Sequence, residues 1–589
     1  MAEDSGSSGF AHLTRGALPI ILLAAVVQGW TLYALHSSIE RNVWPATEPG
    51  VLAALYAMTV FVPLTVQMLV QHVRRRVTWM FVAALAAFYL LIGWHYGEWV
   101  LDESRDAPDG WFAPAAIVAI QWLLIMPFLQ ARLIEGRWRS RYELLFSSAW
   151  TNKLVLGEAA VFTGFFWLLL FLWAQLFGML GIEFFEDLFQ EPVFVYPVTS
   201  IVFGVALKLI GSLERLTTVV LEQTLSVLKW LALLAGLILA LFTVALVFKL
   251  PGLVASREKA IASVWVLWVV AGTVPLGKPA DRDGSLDEPY PRLIGIALRF
   301  AIPLTVVSAL VAAYALWLRV DQYGFTVSRF WGWVVAGAAL LYSVGYALAA
   351  RHNHRWMRSI AGVNVVVALY LIGVLTLALT PVLSPYRIAA NSQFAMALEA
   401  PAGSSEASLP YTYTHMSYLR FDSGRYGRNR VEELSRIENH PRAEDLRREA
   451  KAALAREQRW SPPQYDSSIF AGIVVQPPGR TLDPQLLELL TSNQSNLGPL
   501  VDPSTTAGVF VDLNDDRAEE FVLLANGSAV VYRFESGTWR YVSHMTNDGY
   551  EAAQTIVSRV RQGDVRTEPS VWKDLLIGNL RYRMPPGAP

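Results

Sequence analysis

The sequence predicts a polytopic helical membrane bundle of about eleven spans, followed by a soluble α+β domain with a small antiparallel sheet. Two observations indicate this fold class. Hydrophobic residues make up 54% of the 589-residue chain and charged residues only 16%, with a mean hydropathy of +0.36, which is too apolar for a soluble globular protein. After residue 383 the composition changes, so residues 1–383 are predicted to form the membrane domain and residues 384–589 the soluble domain.

Each span is predicted from its length, because a helix needs about 20 apolar residues to cross roughly 30 Å of hydrocarbon. The run Lys259–Pro275 is short, and losing it would reverse the side of every later loop. The predicted spans are Gly16–Leu35, Gly50–Val70, Val77–Trp94, Trp111–Leu129, Leu154–Leu180, Val193–Gly211, Ser226–Phe248, Lys259–Pro275, Pro291–Leu318, Phe330–Ala350 and Arg358–Leu383.

The distribution of Lys and Arg predicts the orientation, since short cytoplasmic loops retain positive charge. Three arginine-rich loops, at residues 74–76, 132–153 and 351–358, fall on one side of the membrane if the count of spans holds. Lys249, Arg257 and Lys259 oppose this assignment, because their loop is then predicted outside. We therefore expect a bacterial inner-membrane protein with a cytoplasmic N-terminus and a periplasmic C-terminal domain.

The soluble domain reads as extended or irregular through Tyr418, and then as helices and strands. The charged stretch Asn429–Gln458, broken at Pro441, predicts two helices, and Asp483-Pro484 predicts the start of a third. From Gly508 to Met545, short apolar runs are separated by turn residues such as Asn526-Gly527 and Ser536-Gly537. This pattern predicts a small antiparallel sheet. A further helix over Tyr550–Val560 and a last strand over Leu575–Arg583 are also expected.

Several classes of function are excluded or disfavoured by composition. A net charge of −1 indicates no nucleic-acid partner. The absence of cysteine excludes disulfides, thiolate metal sites and cysteine nucleophiles. The sequence contains no motif that names a reaction; this does not exclude an enzyme, although a role other than catalysis is favoured. A membrane transferase using Glu98, Asp102 or Asp106 is a further alternative.

A short polar island, Arg319–Arg329, separates two long apolar runs. Its charged and polar side chains offer donors and acceptors at a membrane surface, which predicts a substrate-binding loop. The residues that we assign to binding are Arg319, Gln322, Tyr323 and Arg329. The alternative is a tight turn, in which Gly324 permits the reversal and Thr326 or Ser328 caps the next helix.

Three ionisable residues, Glu158, Lys208 and Arg299, lie inside predicted spans, with Asn364 as a neutral companion. A charge inside the membrane is costly and is a functional-site hypothesis by default. The threading places them at a similar depth, so we expect one substrate-binding layer that holds an anionic headgroup or relays protons. The alternative is that Lys208 and Arg299 extend to the membrane surface and that Glu158 lies near a helix end.

Histidines and acids give no convincing metal site. His95 and the pair His352 and His354 lack a visible third ligand. A calcium-loop spacing occurs at Asp512, Asn514, Asp516 and Glu520, although Arg517 replaces the glycine that such loops need for their sharp turn. We therefore expect no cofactor, with calcium at these four residues as the alternative to a polar β-turn.

Four segments carry a resemblance to a known family. These are Arg319-x-x-Gln322-Tyr323-Gly324-x-Thr326-x-x-Arg329, Ser384-Pro385-Tyr386-Arg387-Ile388-Ala389-Ala390-Asn391-Ser392-Gln393, Tyr418-Leu419-Arg420-Phe421-Asp422-Ser423-Gly424-Arg425-Tyr426-Gly427 and Phe510-Val511-Asp512-Leu513-Asn514. Together they resemble a bacterial multi-pass membrane family catalogued as domain of unknown function 4153, with Ser384 in place of the family's Asp. The resemblance implies the architecture given above. It implies no activity, because none is established for that family.

The function expected from the sequence is the binding or translocation of a lipid, a lipid-linked molecule or another amphiphilic envelope component. Membrane lipids are then the expected partners. The alternative is a non-transporting scaffold or sensor, whose outer domain binds a protein or cell-wall partner.

Overall fold

A computed structural model of the chain describes residues 17–101, 107–211, 214–255, 291–350, 360–399, 414–456, 470, 472–491, 505–514, 516–525, 528–545, 553–567, 575–577 and 580–582. The chain divides into two units. The membrane unit comprises Met1–Gln393 and Ser423–Tyr426, and the C-terminal unit comprises Phe394–Asp422 and Gly427–Pro589.

Twelve α-helices begin in the described part of the membrane unit before residue 400. They are α1 (Ala17–Glu40), α2 (Pro49–Met68), α3 (Arg76–Trp99), α4 (Ala107–Glu135), α5 (Tyr142–Gly178), α6 (Phe184–Gln190), α7 (Pro192–Gly211), α8 (Glu214–Ala255), α9 (Arg292–Tyr323), α10 (Val327–Ala350), α11 (Ile360–Ala378) and α12 (Pro385–Glu399). Within the described residues, nine of them are long and apolar enough to cross a membrane: α1–α5, α7 and α9–α11. A multi-pass membrane protein is therefore confirmed.

Nine of the eleven predicted spans correspond to these nine helices, and the count of eleven stays a prediction. The prediction Ser226–Phe248 lies inside α8, which is 42 residues long. The prediction Lys259–Pro275 lies outside the described residues. Helix α5 contains 37 residues and begins at Tyr142, twelve residues before the predicted start of its span at Leu154. Those added residues are partly polar, and hydrogen bonds that Tyr142 and Asn152 accept from other helices hold them in the bundle.

Helices α2, α3 and α4 share one buried cluster that includes Phe61, Tyr89 and Trp122. Helices α2 and α3 approach closely because Gly93 has no side chain: an added Cβ would lie 2.5 Å from the Cα of Ala54. The Trp122 indole nitrogen donates a hydrogen bond to the Thr65 hydroxyl at 2.8 Å, so the tryptophan N–H is satisfied inside the bundle. This cluster fixes the part of α3 that leads to the site described below.

A second cluster joins α8, α9, α10 and α11. Alanines dominate its centre, and small side chains allow membrane helices to approach closely. The hydroxyls of Thr243 and Ser308 lie 2.6 Å apart and link α8 to α9. Asn364 of α11 donates to the Tyr142 hydroxyl of α5 at 2.7 Å and accepts from the Tyr346 hydroxyl of α10 at 3.0 Å. Three helices are thereby joined at one buried amide.

The C-terminal unit contains further helices and a sheet. Its helices are α13 (His415–Asp422), α14 (Gly424–Leu434), α15 (Ala443–Leu454), α16 (Pro484–Thr491) and α17 (Ala553–Gln562), of which α14 begins with residues of the membrane unit. Its strands are β1 (Val474–Gln476), β2 (Thr506–Val511), β3 (Glu520–Ala525), β4 (Ser528–Glu535), β5 (Thr538–Met545), β6 (Leu575–Ile577) and β7 (Leu580–Tyr582). Strands β1 to β5 form one sheet in sequence order, and β6 pairs with β7.

Each face of the five-stranded sheet carries a helix. Phe521 and Tyr532 pack with Leu486 of α16 on one face. Val509 packs with Val557 of α17 on the other. The predicted hairpins are confirmed, because β2 to β5 pair antiparallel, whereas the three-residue strand β1 pairs parallel to β2.

Three local predictions have clear outcomes. The prediction of an extended or irregular chain through Tyr418 is wrong, because α12 and α13 are helices. Pro385 is the first residue of α12, a position where the missing N–H of proline costs no hydrogen bond. The prediction of a single last strand over Leu575–Arg583 is wrong as well, because this segment contains two short strands, β6 and β7, that pair as a hairpin. The cap at Asp483 is confirmed, since its carboxylate accepts the Gln485 N–H at 2.8 Å.

Candidate functional site

The polar island forms the connection between α9 and α10. Gly324 follows α9 with φ of +68°, a conformation that glycine adopts without strain. The Thr326 hydroxyl accepts the Arg329 N–H at 3.3 Å, so Thr326 is the cap of α10, one of the two caps predicted. The turn chemistry inferred from the sequence is therefore present in the structure.

Side chains from α10 and α12 hold the backbone of this connection. The Gln393 amide donates to the carbonyls of Tyr323 at 2.9 Å and Phe325 at 2.8 Å. The Phe325 N–H donates to the Ser392 hydroxyl at 2.8 Å, and the Arg329 guanidinium donates to the carbonyls of Tyr323 and Gly324. We call Ser392 and Gln393 the clamp. The sequence showed these two residues only as part of a resemblance, and no local pattern indicated what they bind.

Two cations lie near the Tyr323 ring at this turn. The guanidinium carbons of Arg319 and Arg329 lie 5.4 and 5.6 Å from the centroid of its ring, which is within cation–π distance. The Tyr323 side chain is 49% exposed. Among the described residues, no carboxylate lies within 4.0 Å of the Arg319 guanidinium. The structure thus brings three of the predicted binding residues together, an exposed tyrosine with two half-buried arginines, which we call the Arg–Tyr–Arg site.

The fourth residue predicted in this loop, Gln322, lies in the last turn of α9 and is half-buried. Within the described part of the chain its side chain makes no hydrogen bond. Its amide is available as an additional donor beside the Arg–Tyr–Arg site.

The predicted intramembrane layer is only partly assembled. Glu158 of α5 and Lys208 of α7 border the same contact between their helices, where Ala159 and Leu207 belong to one buried cluster. Within the described residues no ion pair joins Glu158 to Lys208. Arg299 belongs to α9, but the structure describes only its backbone and not its side chain. Asn364 is bonded to two tyrosines, as described above, so its amide serves helix packing.

Residues Ser423–Tyr426, which we call the return segment, belong to the membrane unit although the chain on both sides belongs to the C-terminal unit. Gly424 has φ of +58°, and an added Cβ would lie 2.6 Å from the Trp99 carbonyl oxygen. Arg425 forms an ion pair with Glu98 and lies over the Trp99 ring at 5.5 Å. The return segment therefore packs on the last turn of α3.

Tyr426 completes this packing through His95, which is 2% exposed. The Tyr426 ring stacks on Trp99 at a centroid distance of 4.8 Å. His95 Nδ1 lies 3.0 Å from the Leu379 carbonyl oxygen, and Nε2 lies 3.0 Å from the Tyr426 hydroxyl. Because a carbonyl only accepts, Nδ1 carries the proton and Nε2 accepts from Tyr426. Burial raises the pKa of Tyr426, while Arg387 lowers it, so the phenol remains the donor.

The histidines and acids considered as metal ligands or as transferase residues have the following positions. Both ring nitrogens of His95 are engaged by protein groups, and Glu98 is paired with Arg425. His352 and His354, and the transferase candidates Asp102 and Asp106, lie outside the described residues. No local sequence pattern indicates the partner of His95, because Tyr426 is 331 residues away along the chain.

The acidic loop between β2 and β3 is an internally bonded turn. Asp512 accepts the backbone N–H of Arg517, Glu520 accepts that of Leu513, and each distance is 2.8 Å. Asp516 accepts the Ala518 N–H at 2.8 Å and forms an ion pair with Arg533. No group of three acidic or histidine side chains in the described part of the chain is arranged to hold a metal ion. Calcium at Asp512, Asn514, Asp516 and Glu520 stays a prediction.

Comparison of the chain with protein-family models found no match, and the comparisons with curated proteins and with solved structures found none either. The resemblance to the family of unknown function stays a prediction, and the geometry of the site carries the functional argument.

Replacing Tyr426 with Phe removes the donor to His95 while keeping the ring that stacks on Trp99. We expect a loss of about 1–3 kcal/mol of stability, because a buried acceptor loses its hydrogen bond. Hydrogen exchange of full-length protein in lipid particles should show faster exchange in residues 423–426 and in the last turn of α3. Tyr314→Phe is the control, since its side chain is exposed. Unchanged exchange in Tyr426→Phe would show that the bond contributes nothing.

The acidic turn should depend on pH through Asp516. Its pKa is held below the usual value, first by the Ala518 N–H and also by Asn514 and Arg533. A lowered folded-state pKa stabilises the fold above the ordinary pKa of Asp, and this contribution is lost as pH falls through the folded value. Asp516→Asn should therefore increase hydrogen exchange in β3 and β4 at pH 7, with the difference from wild type vanishing in acid.

The control for Asp516→Asn is Glu488→Gln on α16, which leaves the turn intact. An equal exchange rate in wild type and Asp516→Asn at pH 7 would contradict the role given to the carboxylate. Slower exchange of wild-type β3 on addition of calcium would instead support the calcium prediction.

Proposed function

We propose that the protein is a bacterial inner-membrane protein that binds or translocates a lipid, lipid-linked or other amphiphilic envelope component carrying an anionic group. One observation carries this proposal: the guanidinium groups of Arg319 and Arg329 both lie near the half-exposed Tyr323 ring, at 5.4 and 5.6 Å from its centroid. Two cations near one exposed ring favour an anionic ligand, because an anion relieves their mutual repulsion.

The chemistry of the two side chains supports a phosphate-bearing ligand. A guanidinium presents a planar fork of donors that matches the oxygens of phosphate and carboxylate groups. Arg329 is fixed by the backbone carbonyls that it binds, so its orientation is set before a ligand arrives. The Tyr323 ring adds an apolar surface, which suits the boundary between a headgroup and its chains.

The position in the chain supports a lipid source for the anion. The site lies where two candidate spans, α9 and α10, meet, and lipid headgroups lie at the ends of spanning helices. Glu158 and Lys208 are a second candidate position for the same ligand, because they border one contact between α5 and α7 inside the bundle. A molecule with a charged head and apolar chains has interactions available at both places.

The alternative function is that of a scaffold or sensor whose C-terminal unit binds a protein or cell-wall partner. The observation that favours it is strand β5, which lies at one edge of the sheet among the described strands. Val542 and Met545 on this strand are about half exposed. An edge strand can accept a further strand from a partner. Crosslinking in cells that captures no partner on β5 would remove this alternative.

Replacing Arg319 with Gln should weaken the binding of anionic lipid about tenfold, since a charge-assisted hydrogen bond contributes about 1.5–3 kcal/mol. The measurement is native mass spectrometry of full-length protein in lipid particles that contain phosphatidylglycerol and phosphatidylcholine. Phosphatidylglycerol should be lost and phosphatidylcholine retained.

Two controls accompany this variant. Tyr323→Phe keeps the ring and should bind like wild type. Arg139→Gln removes an exposed cation from another loop and should also bind like wild type. If all four proteins retain the same lipids, the anion does not bind at the Arg–Tyr–Arg site, and the scaffold function becomes the better account.

The proposed orientation places the C-terminal unit in the periplasm. Alkaline phosphatase fused after Pro589 should be active, because this enzyme folds only in an oxidising compartment. A truncated fusion after Gly136, in the arginine-rich loop that follows α4, should be inactive. Activity in the reverse pattern would place the C-terminal unit in the cytoplasm.

A further inference from the structure

Helices α10 and α11 of the membrane unit form a groove of about 540 Å³. That volume lies within the range of roughly 300–1,000 Å³ that is typical of ligand pockets. Its walls are apolar: they include Leu340, Leu341 and Val344 of α10 and Gly362, Val363 and Val366 of α11.

Two glycines produce the shape of the groove. At Gly345 an added Cβ would lie 2.5 Å from a methyl carbon of Val363, so α10 and α11 touch there and close the base. At Gly362 no heavy atom lies within 4 Å of an added Cβ, so the space of the missing side chain is open. Helices α10 and α11 are therefore in close contact at Gly345 and leave open space at Gly362, along the same line of packing.

Tyr370 joins the two helices further along the same seam. This residue follows Val366 by one turn on α11, and its hydroxyl donates to the Val334 carbonyl at 3.2 Å. The same hydroxyl occupies the space beside Gly337, 2.2 Å from where a Cβ would be. Helices α10 and α11 are therefore held together there by a hydrogen bond as well as by packing.

The surroundings determine what occupies the groove. Both helices are candidate spans, so hydrocarbon is the expected surrounding of their outward faces. None of the side chains that line the groove offers a hydrogen bond. A peptide in an extended conformation would have unsatisfied backbone groups there, and water would lack polar partners, whereas a hydrocarbon chain has no polar group to satisfy. We infer that the groove is a binding site for one hydrocarbon chain of a membrane lipid.

This site is separate from the Arg–Tyr–Arg site and does not rest on the function proposed above. Gly345 lies sixteen residues after Arg329 on α10, which corresponds to about 24 Å at 1.5 Å per residue. Tyr370 lies between the two along the seam with α11. The groove holds a chain whether or not the arginines bind a headgroup.

The experiment uses full-length protein in vesicles of phosphatidylcholine that carries a photoactivatable diazirine along one acyl chain. After illumination, peptides are mapped by mass spectrometry. In wild type we expect crosslinks at residues 340–345 and 362–366. Gly362→Leu fills the open space and should lose these crosslinks, and Val366→Phe should lose them by filling the groove from a neighbouring position.

Each variant has a matched control on the same helix. Gly373 has open space beside it and does not line the groove, so Gly373→Leu should keep the crosslinks. Leu369 is exposed to a similar extent to Val366, and Leu369→Phe should keep them as well. Unchanged crosslinks in folded Gly362→Leu and Val366→Phe, or equal loss in the control variants, would overturn the inference.

Discussion

Hydrogen bonds to the carbonyls at the end of α9 are the constraint on which the candidate site depends. The last carbonyls of a helix have no partner within the helix, and leaving one of them buried without a hydrogen bond costs about 1–3 kcal/mol. Gln393 and Arg329 supply the donors for Tyr323, Gly324 and Phe325. In doing so they fix the start of α10 and the backbone that carries the Tyr323 ring. Hydrogen bonds to the backbone therefore position the site, and the exposed Tyr323 ring with the half-buried Arg319 beside it forms the surface offered to the proposed ligand.

Elsewhere in the membrane unit, polar side chains join helices in small closed groups. Gln130 and Asn152 exchange two amide hydrogen bonds, of 3.1 and 2.9 Å, between α4 and α5. Asn364 joins three helices through two tyrosine hydroxyls. Burial of apolar surface does not hold helices together in lipid, so close packing and such hydrogen bonds take that role. Glu158 differs from these groups, because no residue in the described part of the chain forms an ion pair with it.

The spans and the hairpins could be predicted from the sequence because each depends on local information. Apolar length indicates a span, and Ser536-Gly537 indicates the turn between β4 and β5. Contacts between distant residues could not be predicted. His95 bonds Tyr426 across 331 positions, and Gln393 bonds Tyr323 across 70. Arg319 and Arg329 could be predicted as site residues because they belong to a polar island between two apolar runs, which is a local pattern. The clamp that holds this island could not be predicted, because Ser392 and Gln393 lie on α12, a segment that the sequence predicted to be irregular.

The length of α5 has a consequence for the bilayer itself. From Leu154 to Gly178 its apolar part spans about 37 Å at 1.5 Å per residue, against roughly 30 Å of hydrocarbon. Hydrophobic mismatch of this size is relieved when the helix leans by about 35° or when the surrounding lipids stretch to meet it. Helix α7, its neighbour, contains only 20 residues and fits the membrane upright. Two packed helices of unequal length make the protein sensitive to membrane thickness, so the acyl-chain length of the host membrane becomes a variable that acts on the α5–α7 pair.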